Sequence, residues 1–462
     1  MQPLVCFLSR LKIRTSGWVT GLSLLLLLTP SVWAQGQPKE RQMTVIDAVR
    51  TALSDNHEIK ALQNATQAQE KDIGIARSYL LPRISVEERY LWTTNPGYAF
   101  MSKLNQERIE QQDFNPTLLN HPDAINDYQS SLTLEQPLYV KKAFIGLDMS
   151  KTEARAKGEE FVRKREEVVF QVIKACLMIG SAKEHVRAVE QGVVEAWEYQ
   201  RVAELHYKNG LGQYADSLRA ATAFMEARQK KNIAEKNVSL AKRGLGLLLA
   251  TVESIDVDVS AIDIPLQDLS VYVRAAELRS DLKAAELRGE NARQNIRMAE
   301  AGYFPYMGVG GTYQLNDHNR PFGSEGKNRQ VMAFLRWDLF DGTRREYERA
   351  KAKHLAAQAQ ESVSAMKKGV SYRIYEAFMN VEEARKNIEL NRNALKTAEE
   401  GTRLLKVRYE NGLSSLADLL NAQFSLEQAR TGLVERENAY KIALATLSFE
   451  SGTILKDLNI DQ

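Results

Sequence analysis

No proline falls between Pro137 and Pro265, and none follows Pro321. Both stretches space their apolar residues by three and four. Val169, Val172, Cys176 and Ile179 step this way in the first, and Val363, Met366, Val370, Ile374, Ala377 and Val381 in the second. That spacing lines one face of a helix. A helix from Lys141 to Tyr207 would be ~100 Å long at about 1.5 Å per residue. No compact domain is that wide, so these helices are rods. Their apolar stripes are narrow and interleaved with alanine, as coiled-coil seams are.

Both rods break at the same phrase. "YKNGLGQYAD" spans Tyr207–Asp216 and "YENGLSSLAD" spans Tyr409–Asp418. Asn-Gly stops a helix, and Gly210 and Gly412 suit a left-handed position just past its end. Helical spacing then resumes. The sequence therefore predicts a hairpin over 141–252 with its tip at 209–211, and another over 342–450 with its tip at 411–413. The duplication extends further. "LEQPLY" (Leu134–Tyr139) lies over "LRWDLF" (Leu335–Phe340), and Lys60, Ala61, Ala76 and Pro82 lie over Lys283, Ala284, Ala299 and Pro305. Self-similarity at this scale marks a tandem repeat, read here as 35–258 and 259–462. Each repeat holds short helices, two strands and one hairpin.

The proline-rich segments alternate with period two. Ile84, Val86, Tyr90 and Trp92 oppose Arg83, Ser85, Glu87 and Arg89; Val331, Ala333, Leu335, Trp337 and Leu339 oppose Arg336 and Asp338. Four strands are predicted, about 83–93, 127–139, 306–315 and 328–340. About ten residues is the length at which a tilted strand crosses a bilayer. Aromatics gather near the strand ends, as an interfacial belt requires. A soluble four-stranded sheet would show the same alternation.

Residues 1–34 read as a secretory signal, with Arg10, Lys12 and Arg14 before an apolar run and "SVWA" at its close. The alternative is an uncleaved anchor. Removing those three basic residues from 62 leaves 59 of each sign, a formal charge of zero. No basic excess points to a nucleic-acid partner. Cys6 leaves with the signal, so Cys176 has no partner for an internal disulfide. Four strands cannot close a membrane barrel, since the smallest bacterial ones use about eight. Copies of the chain must then pool their strands.

The duplicated unit, "EQPLY" and "RWDLFDGTRRE" leading from strand to helix, and the two Y-x-N-G-L tips followed by Ala-Asp resemble the bacterial outer-membrane efflux proteins of the TolC type. The resemblance covers essentially the whole chain beyond residue 34. It implies a mainly α fold with a transmembrane β-barrel contribution. Three copies would form a twelve-stranded outer-membrane barrel, set in outer-membrane lipid and continuous with a twelve-helix periplasmic tunnel. It further implies an exit duct that passively conducts small molecules or polypeptide. Its partners would be a periplasmic adaptor protein and an inner-membrane pump of the RND or ABC type. Asn209, Gly210, Leu211, Asn411, Gly412 and Leu413 would dock the adaptor. Asp216 and Asp418 match positions where carboxylates constrict the entrance. The alternative for each, and more so for Asp216, is a helix-start residue favoured by the dipole. Asn421, where some relatives carry a second acid, puts a double ring in doubt. Tyr207 and Tyr409 would lock neighbouring hairpins by hydrogen bonds, or simply pack at the tip.

Enzyme chemistry is not legible. "GVGGTY" (Gly308–Tyr313) sits in a strand pattern, and "FGSEGKNR" lacks a phosphate-loop frame. The scattered histidines read as surface residues, and no cofactor or metal set is expected. Two other classes stay open, a periplasmic adaptor built from helical hairpins and a secreted enzyme. Two full hairpins with four amphipathic strands disfavour the first. The absence of a recognisable site disfavours the second.

Overall fold

The structure, a computed structural model, describes residues 40–259, 264–458 and 460. The predicted signal segment 1–34 lies outside the described residues. The first half runs β1 (Glu40–Thr44), α1 (Val45–Asp55), α2 (His57–Ser78), β2 (Arg83–Thr93), α3 (Pro96–Asn105), α4 (Pro116–Asn120), β3 (Ile125–Tyr139), α5 (Lys141–Lys208) and α6 (Tyr214–Leu248). The second runs β4 (Ser254–Asp258), α7 (Leu269–Ala276), α8 (Ser280–Glu300), β5 (Tyr306–Asp317), β6 (Gly326–Arg336), α9 (Arg344–Glu410), α10 (Leu416–Ser451) and α11 (Ile454–Asp457).

The helices form four columns. Two are single helices, α5 of 68 residues and α9 of 67, each ~100 Å long. The other two are stacks. Asn56 joins α6 to α2: its amide donates to the Leu248 carbonyl at the end of α6 (2.9 Å), while its Oδ1 accepts the N–H of Glu58 and Ile59 at the start of α2. One side chain thus caps two helix ends, whose backbone groups would otherwise lack partners. Buried Arg279 links α10 to α8. It donates to the Glu450 carbonyl and pairs with Glu450 (2.9 Å) and Asp281 (2.7 Å). Burial pushes the Asp281 carboxyl up, but the hydrogen bonds and charge of Arg279 outweigh it and hold the group below its ordinary value.

Neighbouring columns pack in the order α6/α2, α5, α10/α8, α9. The sheet above them has the order β2-β3-β5-β6, all antiparallel. Each strand therefore continues into the helix of matching rank, giving one layer of four strands and four helical columns. Its edges are β2 over α2 and α6 on one side, and β6 over α9 on the other. The main apolar core sits midway down the columns, where Val172, Ile173, Cys176 and Ile179 of α5 and Ile374 and Val381 of α9 belong to one buried cluster with residues of the columns between them. The parallel pair β1–β4 and helices α1, α7 and α11 pack around it. Among the described residues no helix is long and apolar enough to cross a membrane.

The last strand is shorter than predicted. β6 ends at Arg336, and "WDLF" leaves the sheet. Buried Arg345 explains the departure: its guanidinium donates to the carbonyls of Asp338 (2.8 Å), Leu339 (2.9 Å) and Gly302 (3.2 Å). These bonds hold the Asp338 and Leu339 carbonyls outside the ladder.

Candidate functional site

The register separates the two faces of the sheet. One face carries the rows Ile84–Leu134–Gly311–Val331 and Val86–Leu132–Tyr313–Arg329. The other carries Ser85–Thr133–Thr312–Gln330 and Glu87–Ser131–Gln314–Asn328. The apolar face is uncovered: Ile84 is 69% exposed, Val86 68% and Val331 90%. On the polar face Thr133 and Thr312 hydrogen-bond across strands at 3.2 Å. Apolar outside and polar inside is the pattern of a membrane barrel wall. All four helical columns leave from one end of this sheet, and both strand connections lie at the other.

At the far ends of the columns the two tips share one backbone. Gly210 has φ +71° and Gly412 φ +72°. Leu211 N–H donates to His206 O (2.8 Å) and Leu413 N–H to Arg408 O (2.7 Å). These are the 6→1 bonds of a Schellman stop, which needs a left-handed residue at the glycine. Asn209 and Asn411 are exposed beside them, and Leu211 and Leu413 stand out at 76% and 68% exposure.

Beyond the turn the tips differ. α10 opens with a capping box in which Ser415 Oγ accepts from Asp418 N–H (3.1 Å) and donates to the Asp418 carboxylate (2.7 Å). α6 opens on Gln213 without a side-chain cap. Asp216 lies 3.7 Å from Arg219 and close to Tyr409 of the other hairpin. Burial first, then the Asp216 charge, raises the Tyr409 hydroxyl above its ordinary pKa. Asn421 is exposed one turn past Asp418. Tyr207 packs on Tyr214 of its own hairpin (5.1 Å), whereas Tyr409 is buried against His206 of the opposite one (5.3 Å).

Sequence reasoning missed the polar contacts between the hairpins. Arg430 of α10 pairs with Glu195 of α5 at 2.9 and 3.0 Å, and buried Gln423 bridges Glu195 to the Tyr199 hydroxyl. Lys230 of α6 pairs with Glu427 of α10 at 2.8 Å. These partners are about two hundred residues apart in sequence, so no local spacing announces them. The structure also brings together Asp317, His318 and Glu325 in the β5–β6 turn. There Asp317 accepts the N–H groups of Asn319 and Arg320, and Glu325 accepts from His318, so these side chains shape the turn.

A two-faced sheet, open at both edges and continued strand for helix into long columns, is one segment of a channel wall. The family model described as outer membrane efflux protein matches residues 48–251 and 271–453, and the chain belongs to that family. It is 18% identical to the outer membrane protein TolC of Vibrio cholerae, over 92% of this chain and 93% of that protein. It is 22% identical to the alkaline protease secretion protein AprF of Pseudomonas aeruginosa, over 96% and 89%. Its fold matches the CmeC outer membrane channel of Campylobacter jejuni with a TM-score of 0.73 at 15% identity, covering 89% and 86% of the two chains. The protein is an outer-membrane efflux or secretion channel, in a family of channel proteins.

Proposed function

We propose that three copies close into one duct that carries small molecules or polypeptide out of the periplasm. The carrying observation is the single layer of four strands and four columns with both edges open. An unpaired strand edge in lipid leaves backbone groups unsatisfied, at several kcal/mol each. Edge β2 of one copy must then meet edge β6 of the next, and the helical edges α6 and α9 follow. Such head-to-tail contacts close a ring. The exposed tips dock a periplasmic adaptor through Gly210, Leu211, Gly412 and Leu413 with Asn209 and Asn411. An inner-membrane pump, RND or ABC, drives the cargo. Photo-crosslinkers placed at Leu211 and Leu413 are expected to capture an adaptor hairpin in cells. Deleting the gene is expected to trap cargo inside. Capture of no periplasmic protein, with export intact after deletion, would refute this reading.

The hairpin contacts hold the entrance narrow in this reading. Arg430→Ala removes charge-assisted hydrogen bonds worth about 1.5–3 kcal/mol, a roughly ten- to hundredfold shift toward splayed hairpins. Single-channel conductance is expected to rise, and Arg430→Lys to restore part of the closure. Equal conductance in wild type and Arg430→Ala would remove the latch.

Asp216 and Asp418 would form rings of like charge at this entrance, which attract cations. Asp418→Asn discharges the ring while keeping an acceptor for Ser415. Block by divalent cations is expected to weaken. Unchanged block would leave Asp418 a helix cap only.

A further inference from the structure

The connection between β2 and β3 is folded, and it lies on the polar face. α3 starts at Pro96 with Asn95 accepting the Tyr98 N–H, and it turns Ala99, Ser102 and the following Gln106 toward the sheet. These meet Asp127, whose side chain shares the polar face with Gln129 and Thr133 by strand alternation. The Asp127 carboxylate accepts from Gln106 (2.9 Å), from Asn316 of β5 (3.0 and 3.1 Å) and from Ser102 (3.3 Å). All four residues are at most 4% exposed. At its other end α3 reaches β6. Asn105 O occupies the place that a Cβ on Gly326 would take, and Lys327 N–H donates to Glu107 (3.2 Å). The helix therefore crosses three strands, ~10 Å of wall at about 4.8 Å per strand.

We propose that α3 is an outer lid, latched to the wall by Asp127, which narrows the mouth at rest and opens when the latch is released. The proposal rests on the trimeric barrel. Twelve strands at ~4.8 Å spacing and ~40° tilt enclose a ring roughly 24 Å across. Each α3 lies across the wall and projects ~10 Å inward, so three copies leave only a narrow opening at the centre. The counterpart connection between β5 and β6 holds no helix, so the lid is built once per copy.

The test uses a reporter cysteine on the polar wall, Thr133→Cys, in the full-length protein in cells. Cys176, the one other cysteine after residue 34, is buried. Labelling is timed from outside with a small and a bulky membrane-impermeant maleimide. With the lid in place, the small reagent is expected to react and the bulky one to lag. Gln106→Ala or Asp127→Asn is expected to speed the bulky reagent about tenfold, the shift for losing one hydrogen bond to a charged group. Bulky labelling that already matches the small reagent, or that neither variant changes, would overturn the lid. Loss of both variants from the membrane would make the network a folding element and overturn it too. Failure of the small reagent in every variant would instead count against the barrel on which the lid rests.

Discussion

Gly412→Val is expected to abolish export while leaving the protein trimeric in the outer membrane. Gly412 holds φ +72°, and a Cβ there would meet nothing within 4 Å. The damage is therefore in the backbone and not in a clash. A left-handed conformation costs an ordinary residue roughly 1–2 kcal/mol, and a β-branched one more. That cost is local and falls on the turn, since Leu413 keeps its exposed position only while the 6→1 bond to Arg408 closes. The columns above are held by the core around Ile173 and Ile374, far along the helix from the tip. Gly412→Asn is the control, because asparagine tolerates the left-handed region and is expected to keep export. Export by both variants alike would remove the tips from the docking surface.

Val331→Lys carries the second large effect. Val331 is the middle residue of β6 and stands 90% exposed on the apolar face. A lysine at the bilayer midplane of a barrel costs about 2–4 kcal/mol, and a trimer would incur it three times. The variant is expected to be lost from the outer membrane. Gln330→Lys, one residue away on the polar face, is expected to insert as wild type does. Quantitative blotting of outer-membrane fractions reads both. Equal insertion of the two variants would mean that the register does not divide lipid from lumen.

Much of this wall was legible in the sequence, because its signals are local. The duplicated tips rest on glycines that need a left-handed backbone, and the sheet faces rest on alternation within single strands. What escaped depends on partners distant in the chain. β1 and β4 are five-residue strands paired across more than two hundred residues, too short for a periodic signal. Arg345 gives no hint in "DGTRRE" that it will hold the carbonyls of Asp338 and Leu339 and end β6 early. Arg430 lies more than two hundred residues from Glu195, and no local spacing ties it to the other hairpin. α3 does carry a local signal, Asn95 before Pro96, which is a helix start. For the entrance, sequence places Asp216 and Asp418 at matching positions of the two tips. The structure separates them, one against Tyr409 and the other inside a capping box.

The central claim is that open edges on one protomer are closed by two more. Native mass measurement on the detergent-extracted outer-membrane protein tests it most directly. A single species with the mass of three chains is expected, stable until heated. A folded monomer, or a ring of any other number, would contradict the shared barrel and the duct built on it.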